Sequence, residues 1–242
     1  MTALLEVAGV EKDFGGVRAA AGLDLVLGAG EMLCLIGPNG CGKTTLFNLI
    51  TGALTPDAGR LRFAGEDLRG REPFEIARLG MLRKFQVPGI YPELSVSENL
   101  TVALVGSADE NPQRIAELLD LARLASKAEQ AAGSLAHGEK QWLEIVMVLA
   151  RRPRLLLLDE PTNGMTAAET AATVALIRDL HDRFGCAVLV IEHDMGFVRQ
   201  LDCPVALMLR GRIERRGSYA ELQADPLVRE AYLGAGALEV AG

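Results

Sequence analysis

Three kinds of hydrophobic pattern divide the chain. From Leu4 to Leu27 the apolar residues come in short runs, Leu4–Val10, Val17–Ala20 and Leu23–Leu27, broken by Gly15-Gly16 and Gly28-Ala29-Gly30, which predicts short strands in an antiparallel, β-rich opening. Arg60–Ala64 and Met81–Gln86 read as further strands, with a proline-started helix, Pro73–Leu79, between them. Met32–Ile36, Arg154–Asp159 and Cys186–Ile191 are different: they are apolar without alternation, as in strands buried on both faces of a parallel sheet. Between Pro88 and Arg152 helical spacing takes over. Ser95 and Glu98 form a capping box before Asn99–Leu104, Pro112 opens an amphipathic stretch through Leu121, and Trp142, Leu143, Ile145, Val146 and Leu149 mark a helix that starts near Gly138 and stops at Pro153. Thr166 and Glu169 cap a helix running to Gly185 between two of the buried strands, so the connection is β-α-β and the sheet parallel. Pro204–Leu209 and Arg212–Arg215 predict a hairpin, and Ser218 and Asp225-Pro226 open two closing helices.

Composition narrows the classes. At 242 residues and 49% hydrophobic, with no apolar run approaching the ~18 residues of a membrane span, the chain has ample material for a core. Its net charge of −7 argues against a chain-wide nucleic-acid surface, so no nucleic-acid partner is expected. Cys34, Cys41, Cys186 and Cys203 form no C-x-x-C pair and stand in or beside apolar runs, which predicts buried, reduced thiols. His137, His181 and His193 are scattered, so no metal cluster is expected from them. The start, Met1–Glu6, lacks the basic and apolar regions of a secretory signal, which predicts a cytoplasmic location.

The chemistry is carried first by Gly37-Pro38-Asn39-Gly40-Cys41-Gly42-Lys43-Thr44-Thr45, placed between the strand ending at Ile36 and an apolar helix, Leu46–Ile50. The spacing is that of the G-x-x-x-x-G-K-[ST] phosphate loop in the strand-loop-helix context it requires. Glycines allow backbone N–H groups to surround phosphate oxygens, and the helix adds its positive N-terminal end. Lys43 is expected on the β- and γ-phosphates of ATP and the Thr44 hydroxyl on Mg²⁺. Cys41, inside the loop, is expected simply to fit as a small side chain. Asp159 and Glu160 end a buried strand, where α/β sheets place active sites: Asp159 would join the Mg²⁺ shell and Glu160 orient the attacking water. Without the phosphate loop the pair would by default open a surface turn at Pro161, a lone His193 would more often be structural, and Phe14 could equally stack on a base or close a hairpin core.

Gln86, Leu135-Ala136-His137-Gly138-Glu139-Lys140-Gln141, Asp159-Glu160 and His193 follow the phosphate loop in an order that resembles the ATP-binding subunits of ABC transporters along essentially the whole chain. The resemblance implies an α/β fold with a phosphate-loop NTPase core of mostly parallel sheet, an antiparallel β subdomain at the N-terminus and a helical insertion. It implies one domain over 1–242, with 1–87 and 153–242 as catalytic core and 88–152 as helical subdomain. It makes Phe14 the adenine-stacking aromatic, Gln86 a metal-shell and catalytic residue linking nucleotide state to the membrane subunits, and His193 the switch histidine. Leu135, Ala136, His137, Gly138 and Glu139 occupy the signature segment, which in the family contacts the γ-phosphate held by a second ATP-binding subunit. Permease subunits, an external substrate-binding protein and a peripheral position on the cytoplasmic face of the membrane follow from the same resemblance.

Within the family, Arg83–Gln86, Leu135–Ile145 with its Trp142 and His137, and Asp159–Thr166 look most like the urea-transporter subunit, whereas Asp225–Gly234 is similar to the tail of the wider branched-chain amino-acid uptake group. Urea is therefore the expected substrate and a branched-chain amino acid the alternative. Two positions depart from the family: Ala136 replaces the signature serine, and Thr166 stands where an aspartate is usual; Glu139 for glutamine is milder. A non-transport ABC ATPase would bring a second such domain or a long coiled coil, and a simple phosphate-loop kinase would leave Gln86, the signature segment and His193 unexplained.

Overall fold

The chain opens with β1 (Ala3–Phe14) and β2 (Val17–Gly28), and β3 (Met32–Ile36) leads through a loop into α1 (Lys43–Ile50). β4 (Ala58–Phe63) and β5 (Glu66–Asp67) return to the first hairpin, and α2 (Pro73–Arg78) precedes β6 (Met81–Lys84). Three helices follow, α3 (Val96–Leu104), α4 (Pro112–Leu121) and α5 (His137–Leu149). Then come β7 (Leu155–Asp159), α6 (Ala167–Phe184), β8 (Ala187–Ile191), α7 (Met195–Leu201), β9 (Val205–Leu209), β10 (Arg212–Gly217), α8 (Tyr219–Ala224) and α9 (Pro226–Leu233). This computed structural model describes residues 3–84, 89–107 and 110–233; Gln86, at the end of the predicted Met81–Gln86 strand, lies outside them.

The opening strands differ from the short runs of the sequence. Val17–Ala20 and Leu23–Leu27 are one strand, paired antiparallel to β1, with the register stepping from Val10 opposite Leu23 to Glu11 opposite Ala21. Gly22, at φ +80°, is the extra residue of that step. A bulge breaks the apolar pattern without breaking the ladder, which is why one strand reads as two. β4 pairs with the other edge of β1 and β5 with β4, giving the four-stranded order β2-β1-β4-β5.

The second sheet has the order β10-β9-β3-β8-β7-β6, parallel except for its β10 edge. Its strands use both faces. Leu33, Leu35, Leu155, Leu157, Leu189 and Ile191 pack with Leu46, Phe47 and the first sheet. Cys34, Ile36, Leu156, Leu158, Val188 and Val190 pack with Leu100 of α3, Leu118 of α4, Leu143 of α5 and Ile177 of α6. Full burial of one such leucine contributes about 1.5–3 kcal/mol. The helices therefore share one apolar cluster with the sheet face they cover. Their starts are local: Glu98 N–H donates to Ser95 Oγ (3.1 Å) while Ser95 N–H donates to Glu98 Oε2 (2.7 Å), and Gly185, at φ +61°, ends α6. The pattern did not announce α7, seven residues started by Asp194, whose Oδ1 accepts the N–H groups of Gly196 (2.7 Å) and Phe197 (3.2 Å).

Candidate nucleotide site

The loop 37–42 leaves the carboxyl end of β3 at the sheet edge where Asp159 also emerges from β7, with β8 between them. Crevices outside the carboxyl ends of parallel strands are where α/β sheets bind ligands. Packing dictates glycine at two points of the loop: a Cβ on Gly37 would stand 2.3 Å from Met208 O, and one on Gly42 2.1 Å from Ala19 O. Gly42, at φ +108°, is the N-cap of α1 and brings no side-chain cap, so the first N–H groups of the helix lack an intrahelical acceptor. The Lys43 ammonium curls back over the loop and donates to Gly37 O (2.6 Å) and Pro38 O (3.1 Å). Cys41 is buried beside it, Sγ 3.9 Å from Lys43 Nζ. Burial pushes the Cys41 thiol up, and the neighbouring ammonium only partly offsets that. Thr44 is exposed at the start of α1.

At the tip of β7 two carboxylates take different surroundings. Asp159 is buried, its Oδ2 accepting from Arg83 Nη2 at 2.6 Å. Glu160 is a non-glycine residue at φ +46°, a backbone conformation that costs energy and that cleft residues often adopt. Its N–H is held by Ile191 O (2.9 Å), and its Oε1 lies 3.5 Å from Nδ1 of the half-exposed His193. Behind them Glu192, 1% exposed, accepts from Thr162 Oγ1 (2.6 Å), Thr162 N (3.1 Å) and His193 N (3.1 Å). Glu192 thus fixes the loop after Glu160 to the residue that faces Glu160. The signal for Glu192 in the sequence is a carboxylate closing the apolar run Ala187–Ile191, where burial demands partners.

Signature residues Leu135–Glu139 form the entrance of α5. Ala136 is the N-cap; its N–H donates to Glu139 Oε2 (3.1 Å), and having no hydroxyl it returns nothing to the helix. Glu139 is held in turn by Lys127 Nζ at 2.6 and 2.7 Å. His137 Nε2 lies 3.0 Å from Asn163 O. A Cβ on Gly138 would stand 2.7 Å from Glu169 Oε1, so a side chain there would push the Glu169 carboxylate from its place at the start of α6. Thr166, at the departure from the family pattern, is the N-cap of α6, and Glu169 Oε2 accepts from its N–H (2.9 Å) and Oγ1 (2.8 Å). Those bonds hold the Glu169 carboxyl below its usual range, with smaller shares from Gly138 N–H and His137. Trp142 Nε1 donates to Thr173 Oγ1 at 2.8 Å, seating the indole between α5 and α6.

The predicted residues therefore gather unevenly. His137, Asp159 and Glu160 line one cavity of about 350 Å³ with Lys84, Gln141, Asn163 and Gly164. Phe14 stands apart at the tip of the first hairpin, 47% exposed, its ring centroid 5.6 Å from the Lys12 ammonium. Thr44 and Asp159 offer hydroxyl and carboxylate oxygens, a hard donor set that suits Mg²⁺. Arg83 brings their elements together by donating to Asn48 Oδ1 of α1 (2.7 Å) as well as to Asp159. Among the described residues no group of three or more His, Cys, Asp or Glu is placed to hold a metal.

Residues 20–163 match the ABC transporter family pattern, and residues 216–237 that of the branched-chain amino acid ATP-binding cassette transporters. The chain is 36% identical to the high-affinity branched-chain amino acid transport ATP-binding protein BraF of Pseudomonas aeruginosa, over 96% of this chain and 98% of that protein. It is 34% identical to the corresponding protein LivG of Escherichia coli (strain K12), with the same coverage. In three dimensions it resembles an ATP-binding cassette of an ABC transporter in its ADP conformation, with a TM-score of 0.86 and 28% identity over 97% of this chain and 100% of that one. The expectation of urea is not supported: these relatives are named for branched-chain amino acids, and the two residues that suggest urea, Trp142 and His137, make packing and hydrogen-bond contacts within the chain. The chain belongs to the ABC transporter family, as an ATP-binding ATPase of the branched-chain amino-acid transporter type.

Proposed function

We propose that this ATPase powers an importer of branched-chain amino acids, as one half of a head-to-tail pair in which each ATP lies between the phosphate loop of one chain and residues 135–139 of the other. The observation that carries it is the crevice itself: loop 37–44, the buried Asp159 and the strained Glu160 converge at the carboxyl ends of β3 and β7, in a chain alike in sequence to BraF over nearly its whole length. Residues 88–152 act as a helical subdomain against a core of 1–87 and 153–242. Permease subunits, an external binding protein and a position on the cytoplasmic membrane face complete the proposal; no helix among the described residues is long and apolar enough to cross a membrane.

Lys43 exchanges the carbonyls of Gly37 and Pro38 for the β- and γ-phosphate oxygens, and the N–H groups at the start of α1 take the remaining phosphate charge. Thr44, Asp159 and Gln86 would hold Mg²⁺, which when bound would offset the negative charge developing on the transferred phosphoryl group. Glu160, whose side chain lines the same cavity as Asp159, orients the attacking water and draws on its proton. His193, 3.5 Å from that carboxylate, steadies it and reaches the γ-phosphate. Phe14 is the stacking surface for the base.

Calorimetry on the cognate external binding protein tests the substrate. Leucine, isoleucine or valine should bind and stimulate ATP hydrolysis by the reconstituted complex. Heat from urea, with none from the three amino acids, would return the substrate to urea.

A further inference from the structure

Lys84 is a buried cation that the phosphate chemistry leaves unused. It ends β6 opposite Leu158 of β7, one residue short of Asp159, and is 4% exposed. Its ammonium lies 3.1 Å from Oε2 of Glu144 on α5, whose side chain is 5% exposed. His137, Gln141 and Glu144 recur at helical spacing, so all three lie on the same side of α5. Lys84 stands between two cavities along that side. It lines the cavity of about 350 Å³ that holds His137, Gln141, Asp159 and Glu160. With Glu144, Met147, Val148 and Arg151 it also lines an outer groove of about 300 Å³.

Stability alone does not account for a charge pair here. Removing two charges from water costs about as much as their attraction returns, and apolar side chains of similar size often serve a core as well or better. The seam is also incompletely satisfied: Glu144 Oε1 and Gln141 Oε1 find no hydrogen-bond partner among the described residues. What an ion pair supplies and a greasy contact does not is a fixed separation and orientation between the end of β6 and the middle of α5. The same helix carries residues 136–139 at its entrance, two turns away.

We propose that Lys84 and Glu144 are positioning residues of the ATPase: their pair holds α5 at the angle from which its N-terminus meets the γ-phosphate bound by the opposite chain. The inference rests on the two-chain site proposed above. In a Glu160→Gln background, the full chain assembled with its membrane partners is titrated with ATP. Closure is followed by fluorescence transfer between a dye on Asp120→Cys of α4 and one on the ATP-binding subunit paired with it, a second copy or a sister subunit; the four native cysteines are buried. Lys84→Met with Glu144→Leu should keep the melting temperature at or above that of the parent and raise the ATP concentration for half-closure about tenfold. Glu144→Gln, which keeps the shape and removes the attraction, should move it in the same direction. Should one variant fold poorly, the other decides. Closure at the ATP concentration of the parent in either folded variant overturns the inference, whatever the melting temperature does. A parent that closes at no ATP concentration instead removes the two-chain reading.

Discussion

Arg83 and Asp159 meet across 2.6 Å, Nη2 donating to Oδ2, with the two side chains 9% and 1% exposed. Nη1 donates to Asn48 Oδ1, and the guanidinium lies 5.3 Å from the ring centre of Phe47. One side chain from β6 thus fixes both the helix that follows the phosphate loop and the carboxylate expected to face the metal. Its effect is electrostatic as much as geometric, because a carboxylate at this depth has little water to solvate it.

Arg83→Met should therefore destabilise the fold by about 3–5 kcal/mol, the cost of leaving one partner of a buried pair uncompensated. Arg83→Lys should recover only part, since an ammonium cannot span Asn48 and Asp159 as a planar fork does. Urea unfolding measures both. A loss below about 1 kcal/mol for Arg83→Met would mean that Asp159 is balanced by other groups.

Glu160→Gln should lower turnover by about 10²–10⁴-fold while leaving ATP binding intact, because Lys43 and Asp159 are untouched. Steady-state hydrolysis and a fluorescent-nucleotide titration on the same preparation separate the two. Near-normal hydrolysis would remove Glu160 from the proposed chemistry.

Ala136→Ser has two separable effects. A hydroxyl at the N-cap can accept the N–H of Glu139 and complete the half-made capping box, contributing about 1 kcal/mol to stability. In the proposed two-chain site it also donates to the opposite γ-phosphate, lowering the ATP concentration for closure about fivefold in a Glu160→Gln background. A raised melting temperature with unchanged closure would show that residue 136 caps its own helix and does not reach the other chain's phosphate.

Alkaline stability should report on two thiols. Burial pushes Cys186 up to about 11 and Cys203 up to about 12, from a reference of 9.0. The unfolded thiols release their protons first, so the stability tied to these groups is complete below about pH 8.5 and is lost as pH rises through the folded values. Unfolding midpoints at a series of pH values above 8 should fall less steeply in a Cys186→Ala, Cys203→Ala variant than in the parent. Equal slopes would show that the two thiols release their protons alike in the folded and unfolded states, so that burial does not hold them protonated.

By itself the sequence determined what depends on neighbours along the chain. The phosphate loop is legible because its geometry is made by glycines at fixed spacing between one strand and one helix. The capping boxes at Ser95, Thr166 and Ser218 are legible because donor and acceptor stand three residues apart. β3, β7 and β8 are legible because burial on both faces of a sheet leaves no polar alternation. The residues that join distant elements were not legible. Asp159 meets Arg83 across 76 positions, and Glu192 meets Thr162 across 30; which charges pair depends on which strands lie side by side, and that order is set by packing. The same cause corrects one local reading: Trp142 reads in sequence as a substrate-group marker and in the fold as a hydrogen-bonded contact with Thr173. A side chain's type and spacing say what it can bond, but only the assembled core decides which partner is within reach when water is excluded.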